Sequence, residues 1–158
     1  MKILGRAIWS PALTVVLIAL FAGTVIATDA SGFAATPLAR GTLSESVHFN
    51  TGEVKFQTKA PVDFATNQVT IQPGGSSGWH SHPGVTLVSV ASGSVVRYDT
   101  DCTATVFPTG SAFVEPAGHV LLVRNESATT PAVNIVTFIV PTGVATRIDE
   151  PNPGCPQN

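Results

Sequence analysis

The sequence predicts one all-β domain, a sandwich or barrel, and three observations carry that expectation. Short runs rich in Val, Thr, Ile and Phe recur along the chain. Gly, Pro, Asn and Asp separate them, and beyond the first thirty residues no stretch repeats its apolar residues at a helical interval. A length of 158 residues suits one such domain and hardly two. Hydrophobic residues make up 44% and charged residues 11%, enough apolar material for a packed core and too little charge for a disordered chain.

The N-terminus departs from this pattern. Lys2 and Arg6 precede a mostly apolar stretch, Ala7 to Ala27, which ends in small residues at Val25-Ile26-Ala27 and Ala27-Thr28-Asp29-Ala30. A basic start, an apolar segment and a small-residue exit describe a secretory signal over residues 1–30. The run of about 20 residues could also span a bilayer as an uncleaved anchor, the one route to a membrane here. No cysteine follows it, which argues against a lipoprotein. Either way the domain is placed outside the cytoplasm, as a secreted, periplasmic or cell-envelope protein. Removing residues 1–30 leaves six basic against nine acidic residues, with no basic run, so nucleic acid is excluded as a partner.

Residues 31–39 are small and polar around Pro37 and read as a flexible lead-in. The domain proper is expected over residues 40–150, with strands at Leu43–Phe49, Val54–Thr58, Val62–Ile71, Val85–Ala91 and Ser94–Asp99. Further strands are expected at Thr103–Phe107, Ala112–Val114, Val120–Arg124, Val133–Val140 and Val144–Ile148. Ala91-Ser92-Gly93-Ser94 looks like a tight hairpin with Gly93 at positive φ. Both faces of Val85–Ala91 are largely apolar, which predicts a strand buried on both sides. The only cysteines, Cys102 and Cys155, read as a disulfide tying the tail, residues 151–158, to the domain. Such a closure stabilises by roughly 3 to 4.5 kcal/mol on the chain-entropy argument. Thiolate chemistry is the alternative, but neither thiol has a second histidine or cysteine near it in sequence.

The chemically suggestive stretch runs from Pro73 through Trp79-His80-Ser81-His82 to Gly84. Residues two apart on a strand share a face, so His80 and His82 project together and can chelate a transition metal. Glycines on either side permit sharp turns into and out of that position. Beyond this pair the sequence is similar to the cupin family of small jelly-roll, or double-stranded β-helix, barrels. The family's first motif is Gly, five residues, His-x-His, three or four residues, Glu, six residues, Gly; here Gly74, His80, His82, Thr86 and Gly93 stand at its positions. The second is Gly, five residues, Pro-x-Gly, two residues, His, three residues, Asn; here Gly110, Pro116-Ala117-Gly118, Leu121 and Asn125 stand there.

The resemblance implies a cupin barrel with a site in its mouth, but Thr86 replaces the family's glutamate ligand and Leu121 its last histidine. His119, directly after Gly118, is the candidate third ligand, although two residues of strand, about 6.6 Å, separate it from the vacated position. Three imidazoles favour zinc, iron, copper or nickel, and a pocket without any metal is the equal alternative. Trp79, Thr86 and Leu121 are expected to line the pocket. Glu115 reads as solvated, His48 as isolated, and Asn125-Glu126-Ser127 matches a glycosylation acceptor. Three functions stay open: an exported binder of a small molecule, a metal-dependent oxygenase-like enzyme, and a metal-free envelope protein. A homodimer is also open, since cupins often pair.

Overall fold

The computed structural model describes residues 26–157, and they form twelve strands with no helix. In chain order these are β1 Ser31–Leu43, β2 His48–Asn50, β3 Lys55–Gln57, β4 Val62–Ser76, β5 His80–Ser81 and β6 Val85–Ser92. There follow β7 Ser94–Asp99, β8 Ala104–Pro108, β9 Ala112–Glu115, β10 Leu121–Arg124, β11 Ala132–Pro141 and β12 Ile148–Asp149. Apart from the β2–β3 hairpin, all belong to one antiparallel sheet ordered β12-β5-β10-β4-β11-β6-β9, with β1 also on β4 and β7 joining β10 to β8.

Alternation decides which side of each strand faces inward. Along β11, Ala132, Asn134, Val136, Phe138 and Val140 are buried, and the residues between them are half-buried. β4 turns Ala65, Val69 and Ile71 to the same interior, and β6 adds Val88 and Val90. The sheet curls far enough for its distant strands to meet, since Phe107 on β8 and Phe113 on β9 lie 4.2 Å apart between ring centroids. A sheet rolled on itself removes apolar side chains from water without needing a second layer. This is an all-β jelly roll.

Four expectations change. Residues 31–39 are not a flexible lead-in: they belong to β1, which pairs with β4 from Phe33↔Ile71 to Leu43↔Val62. Pro37 is tolerated because β1 has a neighbour on one side only and its register shifts between Pro37 and Ala39. β6 is buried on one face, not both; Val85 and Leu87 are about two-fifths exposed, as an outer antiparallel face allows. Of the expected strand Val144–Ile148 only Ile148 is in a strand, β12, and the expected Leu43–Phe49 is broken between the end of β1 and the start of β2. Gly93 does take a positive φ, 73°, in the β6–β7 hairpin. The disulfide between Cys102 and Cys155 is present, with Cα atoms 5.4 Å apart. Most of the expected leader lies outside the described residues. Within them, Ala27 bridges to Pro151, and Thr28 N donates to the Glu150 carbonyl.

A buried carboxylate pins β1 to β4. Asp63 accepts hydrogen bonds from Arg40 (2.7 and 2.9 Å), Thr42 Oγ1 (2.7 Å) and Gly143 N (3.0 Å). The Gly143 amide, then Thr42 and Arg40, lower its pKa from 3.8 to about 2. A depressed carboxylate stabilises the fold above the unfolded-state value, and that contribution drains away as pH falls towards the folded value. Urea unfolding should therefore show the wild type losing stability between about pH 4 and pH 2. Asp63→Asn should start less stable and lose less over that window; equal pH slopes would contradict this role.

Candidate functional site

The histidine segment is set by two glycines that no other residue could replace in place. Gly78 has φ 66°, and a Cβ there would lie 2.4 Å from the Thr28 carbonyl oxygen. A Cβ on Gly84 would lie 2.0 Å from the Ile139 carbonyl oxygen. Between them β5 pairs on both edges, with Leu121↔His80 on β10 and Asp149↔His80 on β12. His80 and His82 are both buried, with ring centroids 4.9 Å apart and planes at 82°. As expected of alternate strand residues, they project together into the barrel.

The ring nitrogens are assigned by their partners. His80 Nδ1 lies 3.0 Å from the Gly78 carbonyl, with Ser77 Oγ at 3.3 Å, and His82 Nδ1 contacts the Thr146 carbonyl. A carbonyl oxygen only accepts, so each Nδ1 carries the proton and each Nε2 is left facing the cavity. Burial, then the positive charge of Arg147, then His82 lower the His80 pKa from 6.5 to about 3, which keeps its imidazole neutral.

The third member is Glu115. Its Oε2 lies 2.9 Å from His82 Nε2, and both side chains are 4% exposed. Ligand atoms of His80, His82 and Glu115 all fall within 4.8 Å of one another. The expectation of a solvated Glu115 is therefore corrected. On β9 it shares the inward face with Phe113, two residues before, while Ala112 and Val114 face out. That alternation was the available signal. Glu115 is also the Cα partner of Thr86, so the carboxylate missing from position 86 is supplied by the neighbouring strand.

The remaining expected residues lie elsewhere. His119 does not join the histidine pair: its side chain is 42% exposed and bonds Asp99 Oδ1 at 2.8 Å. The Pro116–His119 turn, closed by His119 N on the Pro116 carbonyl, carries it outward before β10 begins. Leu121 is fully buried in the main core, and Trp79, also fully buried, packs with Val96, Tyr98, Leu122 and Cys155 on the opposite side of β5. Neither lines the cavity, because Trp79 alternates with His80 and so faces away from it. Thr86 is buried beside Glu115, its Oγ1 without a hydrogen-bond partner. Asn125 is fully buried and bonded to the Ile71 and Thr130 carbonyls, so the folded chain offers no glycosylation acceptor there.

The cluster opens onto a cavity of about 100 Å3 walled mainly by apolar side chains, among them Phe33, Val69, Val88 and Phe138. Its polar lining includes Arg147, whose Nη2 donates to the Ser77 carbonyl at 2.7 Å, together with Asn67 and Asn134. Asn67 and Thr146 are shared with a second, outer cleft beside Pro37 and Arg40.

The Cupin domain family profile matches residues 67–138, the span that contains every member of the cluster. Among solved structures the chain is similar to a cupin-like protein from Thermotoga maritima, at 19% identity and TM-score 0.50 over 56% of this chain. That match covers 65% of the other protein, slightly less than two thirds of its length. Similarity also extends to a cupin superfamily protein from Desulfitobacterium hafniense, at 12% identity and TM-score 0.49 over 68% of this chain and 77% of that one. A DMSP lyase from Ruegeria pomeroyi matches at 16% identity and TM-score 0.47, over 54% and 42% respectively. No curated protein sequence matches significantly. At these identities the match at TM-score 0.50 speaks to the fold alone.

The nitrogen assignment has a direct readout. In metal-free protein, nitrogen NMR of His80 should show a neutral ring protonated on Nδ1 from about pH 5 to 8. A ring protonated on Nε2 would present an N–H, and no free lone pair, to the cavity.

Proposed function

We propose that this chain, which belongs to the cupin superfamily, binds a small molecule inside its barrel at a divalent transition-metal ion held by His80, His82 and Glu115. One observation carries the proposal: the 2.9 Å approach of His82 Nε2 to Glu115 Oε2. With Nδ1–H committed to Thr146, these two atoms face each other as acceptors unless a positive charge lies between them. A proton can supply that charge for the pair alone. The convergence of His80 as a third, neutral donor favours a metal, since a shared proton has no need of it.

The His82–Glu115 pair fits such an ion, and His80 has to draw inward to complete the set. The three ligand atoms spread over up to 4.8 Å, against the about 4.2 Å that two atoms each about 2.1 Å from one metal can span. Two atoms bound to one first-row metal at about 2.1 Å each lie roughly 3.0 to 3.4 Å apart, close to the observed approach. Glu115 also offsets part of the ion's charge, which three imidazoles could not do. Two nitrogens and one carboxylate suit zinc, iron, copper or nickel. A metal there would act as a Lewis acid towards an oxygen donor of the bound molecule. The chain's own part is to hold the ligand atoms through the Gly78 and Thr146 carbonyls and to keep water out with apolar walls.

Titration of metal-free protein with zinc or cobalt(II) should show one ion bound per chain. At a hundredfold excess over Kd the protein should gain about 2.7 kcal/mol of stability. Binding should weaken at least about a hundredfold in His80→Ala and Glu115→Gln and be unchanged in His119→Ala. A melting temperature indifferent to zinc, cobalt, copper and iron(II) would overturn the metal centre.

The domain is further proposed to work outside the cytoplasm, a reading supported by the basic-apolar N-terminus and by a disulfide that reducing compartments disfavour. If the leader is cleaved, the mature chain should begin no later than Thr28. Thr28 Oγ1 accepts from Trp79 N at 2.7 Å, and Thr28 N bonds the Glu150 carbonyl. N-terminal sequencing of the natively produced protein decides this: a start at Ser31 would contradict it, and an intact Met1 would mean an anchor.

A further inference from the structure

The cavity has a second polar pole that the metal cluster does not use. Asn134 sits on the inward face of β11, between Ala132 and Val136, and is 2% exposed. Its strand neighbours in register are Val69 on β4 and Val90 on β6, both buried apolar residues. It lines the cavity that also contains His80, His82 and Glu115, and its Oδ1 has no hydrogen-bond partner. A buried polar atom left without a partner destabilises the fold, so an apolar residue would serve the empty barrel better.

The strand ladder places this amide relative to the cluster. Phe138 pairs with Thr86, the partner of Glu115, and its ring lies 5.2 Å from that of His82. Asn134 is four residues back along the same strand, about 13 Å between Cα atoms. Val136, Val88 and Phe113, all buried and apolar, occupy the level between, with the half-buried Asn67 of β4 paired to Val136. The cavity thus runs from a charged end, through a waist that is apolar except for Asn67, to the Asn134 carboxamide.

We infer that Asn134 is a specificity-determining residue whose carboxamide hydrogen-bonds the far end of the bound molecule. The occupant is then a small bipolar compound: an oxygen donor at the cluster, a short apolar body, and a hydroxyl or N–H group at Asn134. The inference rests on the proposed binding site in the barrel, but it concerns the opposite end of the cavity from the metal ligands. An amide can offer either an acceptor or a donor, and a hydroxyl satisfies both.

Probes that differ only at their far end test this. Straight-chain carboxylates of four to eight carbons, and the same acids with a terminal hydroxyl, are titrated calorimetrically into zinc-loaded wild type and Asn134→Leu. Melting of both proteins without probe is the second arm. At the chain length that spans the cavity, the wild type should prefer the hydroxy acid by about tenfold, and Asn134→Leu should prefer the plain acid. Without probe, Asn134→Leu should melt at or above the wild type, because an unsatisfied amide has been replaced by a methyl-bearing side chain.

No hydroxyl preference at any length, with zinc binding intact, overturns the inference and leaves the metal centre standing. A clear loss of melting temperature in Asn134→Leu also overturns it, because the amide would then be a structural hydrogen-bonding group. Failure of zinc to bind the wild type removes the metal centre instead. The melting arm, together with probe binding to the metal-free protein, then decides the role of Asn134 by the same two criteria.

Discussion

Glu115 and His82 meet inside an apolar barrel, and neither side chain is suited to being there alone. Taking a carboxylate out of water costs several kcal/mol unless an opposite charge and well-placed hydrogen bonds compensate. The compensation depends on chain topology. Glu115 ends β9, an edge of the sheet beside β6, whereas His82 follows β5, which lies beyond β10 at the other side. Curling the sheet brings the two ends over one interior. A backbone bond then sets their register: Gly118 N, in the turn that follows Glu115, donates to the His82 carbonyl at 2.8 Å. Gly118 adopts φ 71° in that turn, which a side chain would resist.

The strand that carries His80 is only two residues long, and its own ladder is too short to fix it. Both ends of the described chain reinforce it. β12 pairs along one edge, Glu150 N bonds the Trp79 carbonyl, and Thr28 Oγ1 receives the Trp79 amide. Trp79 Nε1 donates to the Gln157 carbonyl at 3.2 Å, while Cys155 anchors the tail beneath Asp99 and Thr100 through the disulfide. Trp79 and His80 therefore divide the work of one segment. The indole side is structural and covered by the tail; the imidazole side is open to the cavity.

Much of this was legible in the sequence for physical reasons. His80 and His82 announce themselves because the strand period is two, and Gly93 because a hairpin needs positive φ. β11 is readable as a strand because its apolar run is long and β-branched. What was not legible depended on partners far away in sequence. Pro37 suggested a loop, yet an edge strand tolerates it once β4 is known to lie on one side only. Glu115 looked solvated because a single carboxylate beside a proline usually is; its burial follows from sharing a face with Phe113. The substitution at Thr86 suggested a lost ligand, and only strand pairing reveals that the next strand supplies a carboxylate at that level. His119 failed for the opposite reason: the spacing brought it near in sequence, and a turn took it outside.

The best-bonded buried polar groups of this chain contrast with those at the cavity, and the contrast bears on what the interior is for. Two structural ones, Asp63 and Asn125, are fully used. Asp63 has four donors, and Asn125 bonds two carbonyls while accepting the Ser127 amide at 3.0 Å. Around the cavity the same chain leaves Asn134 Oδ1 unmet and sets an imidazole nitrogen against a carboxylate oxygen. A barrel able to satisfy Asn125 so completely has the means to satisfy or replace Asn134. Arg97 Nε and Gln157 Oε1 are also unmet, and neither residue lines the cavity. At the cavity, however, the gaps border an enclosed space, which argues that the missing partners come from outside the chain: a cation at one end and a hydrogen-bonding group at the other.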